Sequence, residues 1–125
     1  MNTVSYSKLE RRLGQTLRDR LNHAESGEDV KKFFFYTVRG LISKGLNGLC
    51  QIEPDDVVLT PNQQQQFSVS SKIRENQDFS SLWDGSDMPA IVKRFARQSS
   101  NRYRHMEGHP EKTQLKIRAQ LNPTG

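Results

Sequence analysis

The sequence lacks the features that mark several classes of protein. Its 125 residues include a single cysteine, Cys50, which excludes an intrachain disulfide framework and a cysteine-based zinc site. No run of about 18 apolar residues occurs, so the sequence predicts no transmembrane helix and no membrane partner. The polar segment 1–10 does not have the pattern of a secretory signal peptide. Together these absences predict a cytoplasmic protein, since a lone thiol suits a reducing compartment.

Apolar side chains are also scarce, at 33% of the chain. The core must therefore be small, and its stability depends on a few large side chains. The length fits one domain. We expect a single domain over 1–125, ordered from 3 to 122, with frayed ends at 1–2 and 123–125.

The first predicted helix starts near Ser7. Ser7 and Glu10 have the spacing of a capping box, in which each side chain accepts from the backbone amide of the other. One narrow apolar stripe then recurs every three or four residues. It consists of Tyr6, Leu9, Leu13, Leu17 and Leu21.

The second predicted helix, over 28–44, is aromatic. The run Phe33-Phe34-Phe35-Tyr36 spans most of the helix circumference, because successive residues are about 100° apart. This helix is therefore predicted to be the buried spine of the domain. One of Phe35 and Tyr36 is expected to be exposed, or covered by another chain.

The remaining pattern adds strands, a helical turn and a third helix. Segments 56–60 and 66–73 alternate as strands of an antiparallel hairpin, and 113–121 alternates as a third strand. Phe79, Leu82 and Trp83 have the spacing of one helical turn, and Asp87 is a candidate N-cap for a helix over 88–105. The predicted fold is a small α+β domain. Its order is helix, helix, strand, strand, turn, helix, strand, with helices on one face of a three-stranded, mainly antiparallel sheet.

Catalytic chemistry finds little support. His105 and His109 have helical i,i+4 spacing, but Gly108 and Pro110 interrupt the helix and no third ligand is apparent. Adjacent carboxylates on a strand, such as Asp55 and Asp56, point to opposite faces. A lone cysteine is more often a small core residue than a nucleophile. We therefore expect no enzyme, no metal, no cofactor and no small-molecule substrate.

The third helix carries a concentrated positive charge. Residues 88–106 contain five Lys and Arg and no acid. One face of this helix combines arginine with amide side chains, which suit phosphates and base edges. Lys116 and Arg118 would extend that face from the last strand. The candidate binding residues are Arg94, Arg97, Gln98, Asn101, Arg104, Lys116 and Arg118.

Charge alone leaves the partner of this face open. The leading hypothesis is a non-catalytic binding or regulatory protein that contacts nucleic acid or another polyanion. An acidic protein is a second candidate partner. The third interpretation is that the face binds no partner and is either solvated or paired internally with the acidic segment 75–87. The alternative function is a protein–protein interaction module, homodimeric or an adaptor, that uses Phe35 and Tyr36 of the aromatic helix.

Overall fold

The computed structural model describes residues 5–108. Over that range the chain forms five helices and a two-stranded antiparallel sheet, which confirms a mixed helix-and-strand fold. The predicted third strand, 113–121, lies outside the described residues, as do Lys116 and Arg118. The elements are α1 Ser7–Asn22, α2 Gly27–Leu46, β1 Val57–Leu59, β2 Phe67–Val69, α3 Ser71–Arg74, α4 Gln77–Asp84 and α5 Met88–Gly108.

α1 begins differently from the predicted capping box. Its N-cap is Tyr6, which makes no side-chain cap, and Ser7 is already helical. The Asp87 carboxylate, just before α5, accepts from the Tyr6 backbone amide at 2.9 and 3.2 Å. The Glu10 carboxylate is bound by Arg94 instead. The capping-box prediction is therefore wrong, because tertiary partners from α5 take over both roles.

α2 is the buried spine that the aromatic run predicted. The Ser26 hydroxyl caps its start by accepting from the Asp29 amide at 3.2 Å. It ends at Asn47, which adopts the left-handed conformation with φ of 52°, and Gly48 follows with φ of 76°. Eight of its residues are buried: Val30, Phe34, Phe35, Thr37, Val38, Leu41, Ile42 and Leu46.

The three long helices pack with α2 antiparallel to the other two. Near the start of α2, Gly27 lies against the Tyr103 ring at the end of α5. At the other end, a Cβ on Gly45 would lie 3.1 Å from Cε of Met88, where α5 begins. α1 and α5 run in the same direction, since Asp87 binds the start of α1 and Arg94 binds Glu10, one turn further along α1 and two turns further along α5. The two helices therefore lie side by side and parallel.

The hairpin is confirmed, but its second strand is shorter than predicted. β1 and β2 pair antiparallel, with Leu59 opposite Phe67 and Val57 opposite Val69. Ser70 then caps α3 by accepting from the Ile73 amide at 3.2 Å. Strand prediction over 70–73 is therefore wrong, since Ile73 reaches the core from a helical turn rather than from a strand.

One hydrophobic cluster includes buried residues from every helix and both strands of the described range. The helical turn predicted from Phe79, Leu82 and Trp83 is α4, which runs longer than one turn. Its Trp83 ring stacks on Phe79 with centroids 5.3 Å apart and meets Phe67 of β2 edge-on at 6.3 Å. Among residues 5–108, no helix is both long and apolar enough to cross a membrane.

Candidate functional site

The predicted basic face of α5 is turned away from the core. Arg94, Arg97, Asn101 and Arg104 are exposed, and Gln98 is half-buried. The opposite side of the same helix is buried against the rest of the domain. Its fully or nearly fully buried residues are Met88, Ile91, Val92, Phe95, Ala96, Ser99 and Ser100.

Arg94 is held by an acid of α1. Its Nε and Nη2 atoms donate to the two Glu10 carboxylate oxygens at 2.6 and 2.8 Å. The hydrogen bond to Glu10 is the main cause that raises the pKa of the Arg94 guanidinium, against the effect of burial. The internal pairing proposed for Arg94 therefore exists, but its partner is Glu10 and not the acidic segment 75–87.

Arg104 and Asn101 are tied to each other and to the loop after β1. The Arg104 guanidinium donates to the Pro61 carbonyl at 2.9 Å and to Oδ1 of Asn101 at 2.6 Å. Arg97 differs from both, since within residues 5–108 its side chain has no hydrogen-bond or ion-pair partner. Arg97 is thus the arginine of the predicted face that is free to bind a ligand without breaking an internal contact.

α1 contributes basic residues that sequence reasoning did not include. A Cβ on Gly14 would lie 3.6 Å from Cε1 of Phe95, so Gly14 faces α5. Arg11 and Arg18 stand three residues before and four residues after Gly14, on the same ridge of α1. They therefore flank the line where α1 meets α5. The sequence showed these cations, but only the parallel packing of the two helices shows that they adjoin the face of α5.

The charge of the described chain is divided unevenly between two sets of elements. α1 and α5 together hold ten Lys and Arg against three Asp and Glu, a formal net charge of +7. All other residues from 5 to 108 hold six Lys and Arg against ten Asp and Glu, a net charge of −4. We call these other residues the acidic side. The exposed cations of the two helices form the cationic surface: Lys8, Arg11, Arg12, Arg18, Arg20, Lys93, Arg94, Arg97 and Arg104.

The two candidate interface residues of α2 differ in exposure. Tyr36 is 38% exposed, as expected for one of the pair, whereas Phe35 is 7% exposed and belongs to the core. Of the two, Tyr36 is therefore the residue that this surface could present to another chain. The Arg39 guanidinium lies over both rings, 5.1 Å from the Tyr36 centroid and 5.4 Å from that of Phe35.

Cys50, Asp55 and Asp56, the side chains considered for catalysis, do not converge on one site in the described residues. Burial is the main cause that raises the pKa of the Cys50 thiol, which disfavours the nucleophilic thiolate. Asp55 is exposed, whereas Asp56 is buried and accepts from the Ser70 hydroxyl at 2.7 Å and from the Glu53 amide at 2.9 Å. Within the described residues, no three His, Cys, Asp or Glu side chains are placed to hold a metal ion. His109 lies outside that range.

Comparison of the chain with protein-family models, with curated proteins and with solved structures finds no significant match. The case for a function comes from the placement and charge of the chain's own residues.

Proposed function

We propose that this protein binds nucleic acid through its cationic surface, as a non-catalytic binding or regulatory protein. The observation that carries the proposal is the division of charge, +7 on α1 and α5 against −4 on the acidic side. Ordinary soluble surfaces intersperse the two signs. A surface of one sign attracts a partner of the other and speeds the encounter between them.

Arginine supplies most of the free charge on this surface. Within the described residues, the side chains of Arg11, Arg18 and Arg97 have no hydrogen-bond or ion-pair partner. A guanidinium presents a planar fork of donors that matches the oxygens of a phosphate. Gln98 and Asn101 lie beside Arg97 and add polar groups able to follow a backbone or a base edge.

The dimensions of the surface favour an extended polyanion. α1 and α5 contain 16 and 21 residues, which correspond to about 24 and 32 Å of helix. Duplex nucleic acid carries one charge for roughly every 1.7 Å of its axis. The exposed cations of α1, from Lys8 to Arg20, and those of α5, from Lys93 to Arg104, each extend over about 17 Å of helix and could face about ten duplex charges, whereas a small anion would engage one or two cations.

The test measures binding to fluorescent duplexes of two unrelated sequences at several salt concentrations. In the test variant, Arg18→Gln and Arg97→Gln remove two free cations of the surface. In the matched control, Lys32→Gln and Lys44→Gln remove two exposed cations of α2. The test variant should bind both duplexes more weakly. The slope of log affinity against log salt concentration should also become shallower by about 2, since each phosphate contact contributes about 0.9 to that slope. The control should match wild type.

Three results would contradict the proposal. One is no binding by wild type at low salt. Another is an equal loss of duplex affinity in the test and control variants, which would show that binding depends on the net charge of the protein and not on this surface. The third is tight binding of polyglutamate in preference to either duplex, which would favour the acidic protein partner instead.

Protein–protein interaction through α2 is the second candidate, favoured by the exposed Tyr36 ring beneath Arg39. Aromatic rings and arginine are enriched at interfaces. A homodimer through this patch should dissociate in the Tyr36→Ala variant and resist salt, since aromatic burial is not screened. Sedimentation of wild type as a strict monomer at high concentration would remove this candidate.

A further inference from the structure

A cleft opens where the hairpin loop, α3, α4 and the start of α5 meet. Its volume is about 720 Å³, within the range of small-molecule sites. Its lining includes two aromatic rings, two cations, three consecutive glutamines and no acid. That composition is unusual for its position, since the cleft is built largely from the acidic side.

The floor of the cleft is aromatic and fixed in place. Phe67 and Trp83 line it and are 6% and 8% exposed. Phe79 stacks on Trp83 with an interplanar angle of 22°, while Phe67 packs against the same indole at 66°. Because Phe67 and Phe79 both pack against it, the Trp83 ring has little room to move. The floor is therefore a preformed apolar surface suited to a flat ring.

The rim of the cleft is cationic. Arg74 at the end of α3 and Lys93 on α5 both line it and both are exposed. Within residues 5–108, neither side chain has a hydrogen-bond or ion-pair partner. Two unpaired cations over an apolar floor complement an anionic group attached to an apolar body.

The glutamine run supplies the remaining wall. Its backbone is anchored, since the Gln63 amide donates to the Thr60 carbonyl at 3.1 Å and the Thr60 hydroxyl donates to the Gln65 carbonyl at 2.9 Å. Gln63, Gln64 and Gln65 line the cleft. Each amide both donates and accepts hydrogen bonds, as do the nitrogens and oxygens of a heteroaromatic ring. The loop between β1 and β2 therefore brings the polar side chains of Gln63, Gln64 and Gln65 to the cleft.

We propose that this cleft binds a heteroaromatic anion, a flat ring system that carries a phosphate or a similar acidic group. The ring would lie over Trp83 and Phe67, the anionic group would face Arg74 and Lys93, and the glutamines would contact the ring's polar edge. This site goes beyond the proposed nucleic-acid binding and does not depend on it, although Lys93 stands at the border of both surfaces.

Trp83 provides the test, because it is the only tryptophan in the chain and lines the cleft. Its fluorescence is titrated with adenosine 5′-monophosphate, with the aromatic sulfonate 8-anilinonaphthalene-1-sulfonate, and with adenosine as the uncharged control. Both anions should change the Trp83 emission and saturate. Adenosine should bind about tenfold more weakly than its monophosphate, since it lacks the charge-assisted contact to the rim.

Two variants locate the bound anion. Arg74→Met and Lys93→Met should each weaken both anions about threefold, so that the two together account for the tenfold difference, and should leave adenosine unchanged. The matched control is Lys72→Met, which removes an exposed cation of the same short helix that does not line the cleft. It should bind like wild type. Equal melting temperatures for all three variants would show that the loss is one of binding and not of folding.

Several results would overturn the site. They are no change of Trp83 emission up to millimolar anion at low salt, equal affinity for adenosine and its monophosphate, or a loss in Lys72→Met as large as that in Arg74→Met. The outcome is independent of the duplex experiment: Arg74 is absent from the cationic surface, so Arg74→Met should leave duplex binding intact even if it abolishes nucleotide binding.

Discussion

The cationic surface and the acidic side share one core yet differ in the sign of their charge. One hydrophobic cluster includes buried residues of α1 and α5 together with those of α2, the hairpin and α4. The difference of +7 against −4 comes from residues outside the core, since Asp56 is the only buried charged side chain within residues 5–108. The fold is thus determined by the buried residues, and the candidate function by the exposed ones.

Within the cationic surface, the arginines also divide into two kinds. Arg94 and Arg104 are held by Glu10 and by the Pro61 carbonyl, and so help to fix α5 against α1 and the hairpin. Arg18 and Arg97 have no hydrogen-bond or ion-pair partner within residues 5–108. Variants of the held pair are therefore expected to affect packing as well as binding, and variants of the free pair to affect binding alone.

The largest effect is expected in the shared core. Phe34 is fully buried in α2, so Phe34→Ala should lower the free energy of unfolding by about 3–5 kcal/mol. The half-buried Phe33 is the control, and Phe33→Ala should cost less than half as much. Urea unfolding followed by Trp83 fluorescence and by circular dichroism should give one coincident transition. Two separate transitions would show that the two sides do not share a core.

The next effect concerns the acidic side. Asp56→Asn removes an acceptor from the Ser70 hydroxyl or the Glu53 amide and should cost about 1–3 kcal/mol, whereas the exposed Asp55→Asn should be near neutral. Urea unfolding of both variants measures the difference. If Asp55→Asn cost as much as Asp56→Asn, the buried hydrogen bonds would not explain the loss.

The same carboxyl gives a pH dependence. Burial acts to raise the pKa of Asp56, but the Ser70 and Glu53 hydrogen bonds and the charge of Lys72 outweigh it and hold the pKa below its ordinary value. Its stabilisation is complete above the unfolded-state pKa of about 3.9 and is lost as the pH falls through the lower folded-state pKa. Wild type should lose more stability in that acidic window than Asp56→Asn. If the stabilities of wild type and Asp56→Asn changed with pH in parallel, the carboxylate of Asp56 would not be the source of the pH dependence.

A smaller change in stability, in the opposite direction, is expected at Ser99 on the buried face of α5. Ser99 is fully buried, and its hydroxyl has no hydrogen-bond partner within the described residues. Removal of an unsatisfied buried hydroxyl by Ser99→Ala should raise the free energy of unfolding by about 1 kcal/mol. Exposed Ser81→Ala in α4 serves as the control and should change it by less than about 0.5 kcal/mol. A destabilised Ser99→Ala would mean that the hydroxyl does have a partner.

The smallest effect on stability tests the bond between α1 and α5. The Arg94 side chain is 54% exposed, so Glu10→Gln should change the free energy of unfolding by no more than about 1 kcal/mol. It should also tighten duplex binding, since it releases Arg94 and removes one of the three acids of α1 and α5. Weaker duplex binding in Glu10→Gln, with unchanged stability, would show that the held arginine and not the free ones contacts the polyanion.

Local signals predicted most of the helical fold. The predicted limits of α2, 28–44, lie within two residues of the observed ones, although the helix continues past Gly45 to Leu46 and is capped by Asn47. Alternation alone failed at 70–73, because a strand and a helical turn capped by Ser70 both bring Ile73 to the core. The capping box failed for a different reason, since its acid is bound by Arg94, which is 84 residues away in sequence.

The part of the candidate site on α5 could be predicted from sequence, whereas the part that depends on contacts between distant segments could not. A helical period predicts which residues of α5 share a face, and Arg97 and Asn101 are exposed as expected. It cannot show that α1 lies parallel to α5 with Arg11 and Arg18 at the border. The cleft was not predicted at all, because its walls come from the hairpin loop, α3, α4 and α5, and only their packing brings these segments together.

The most direct test of the cationic surface is nuclear magnetic resonance of labelled protein titrated with a short duplex at low salt. Backbone amide shifts should change at Arg11, Arg18 and Arg97, and the changes should disappear as salt is raised. The amide chemical shifts of α4 and of the hairpin should not change. Shifts centred on Tyr36 and Arg39, or none at low salt, would contradict the assignment of nucleic-acid binding to α1 and α5.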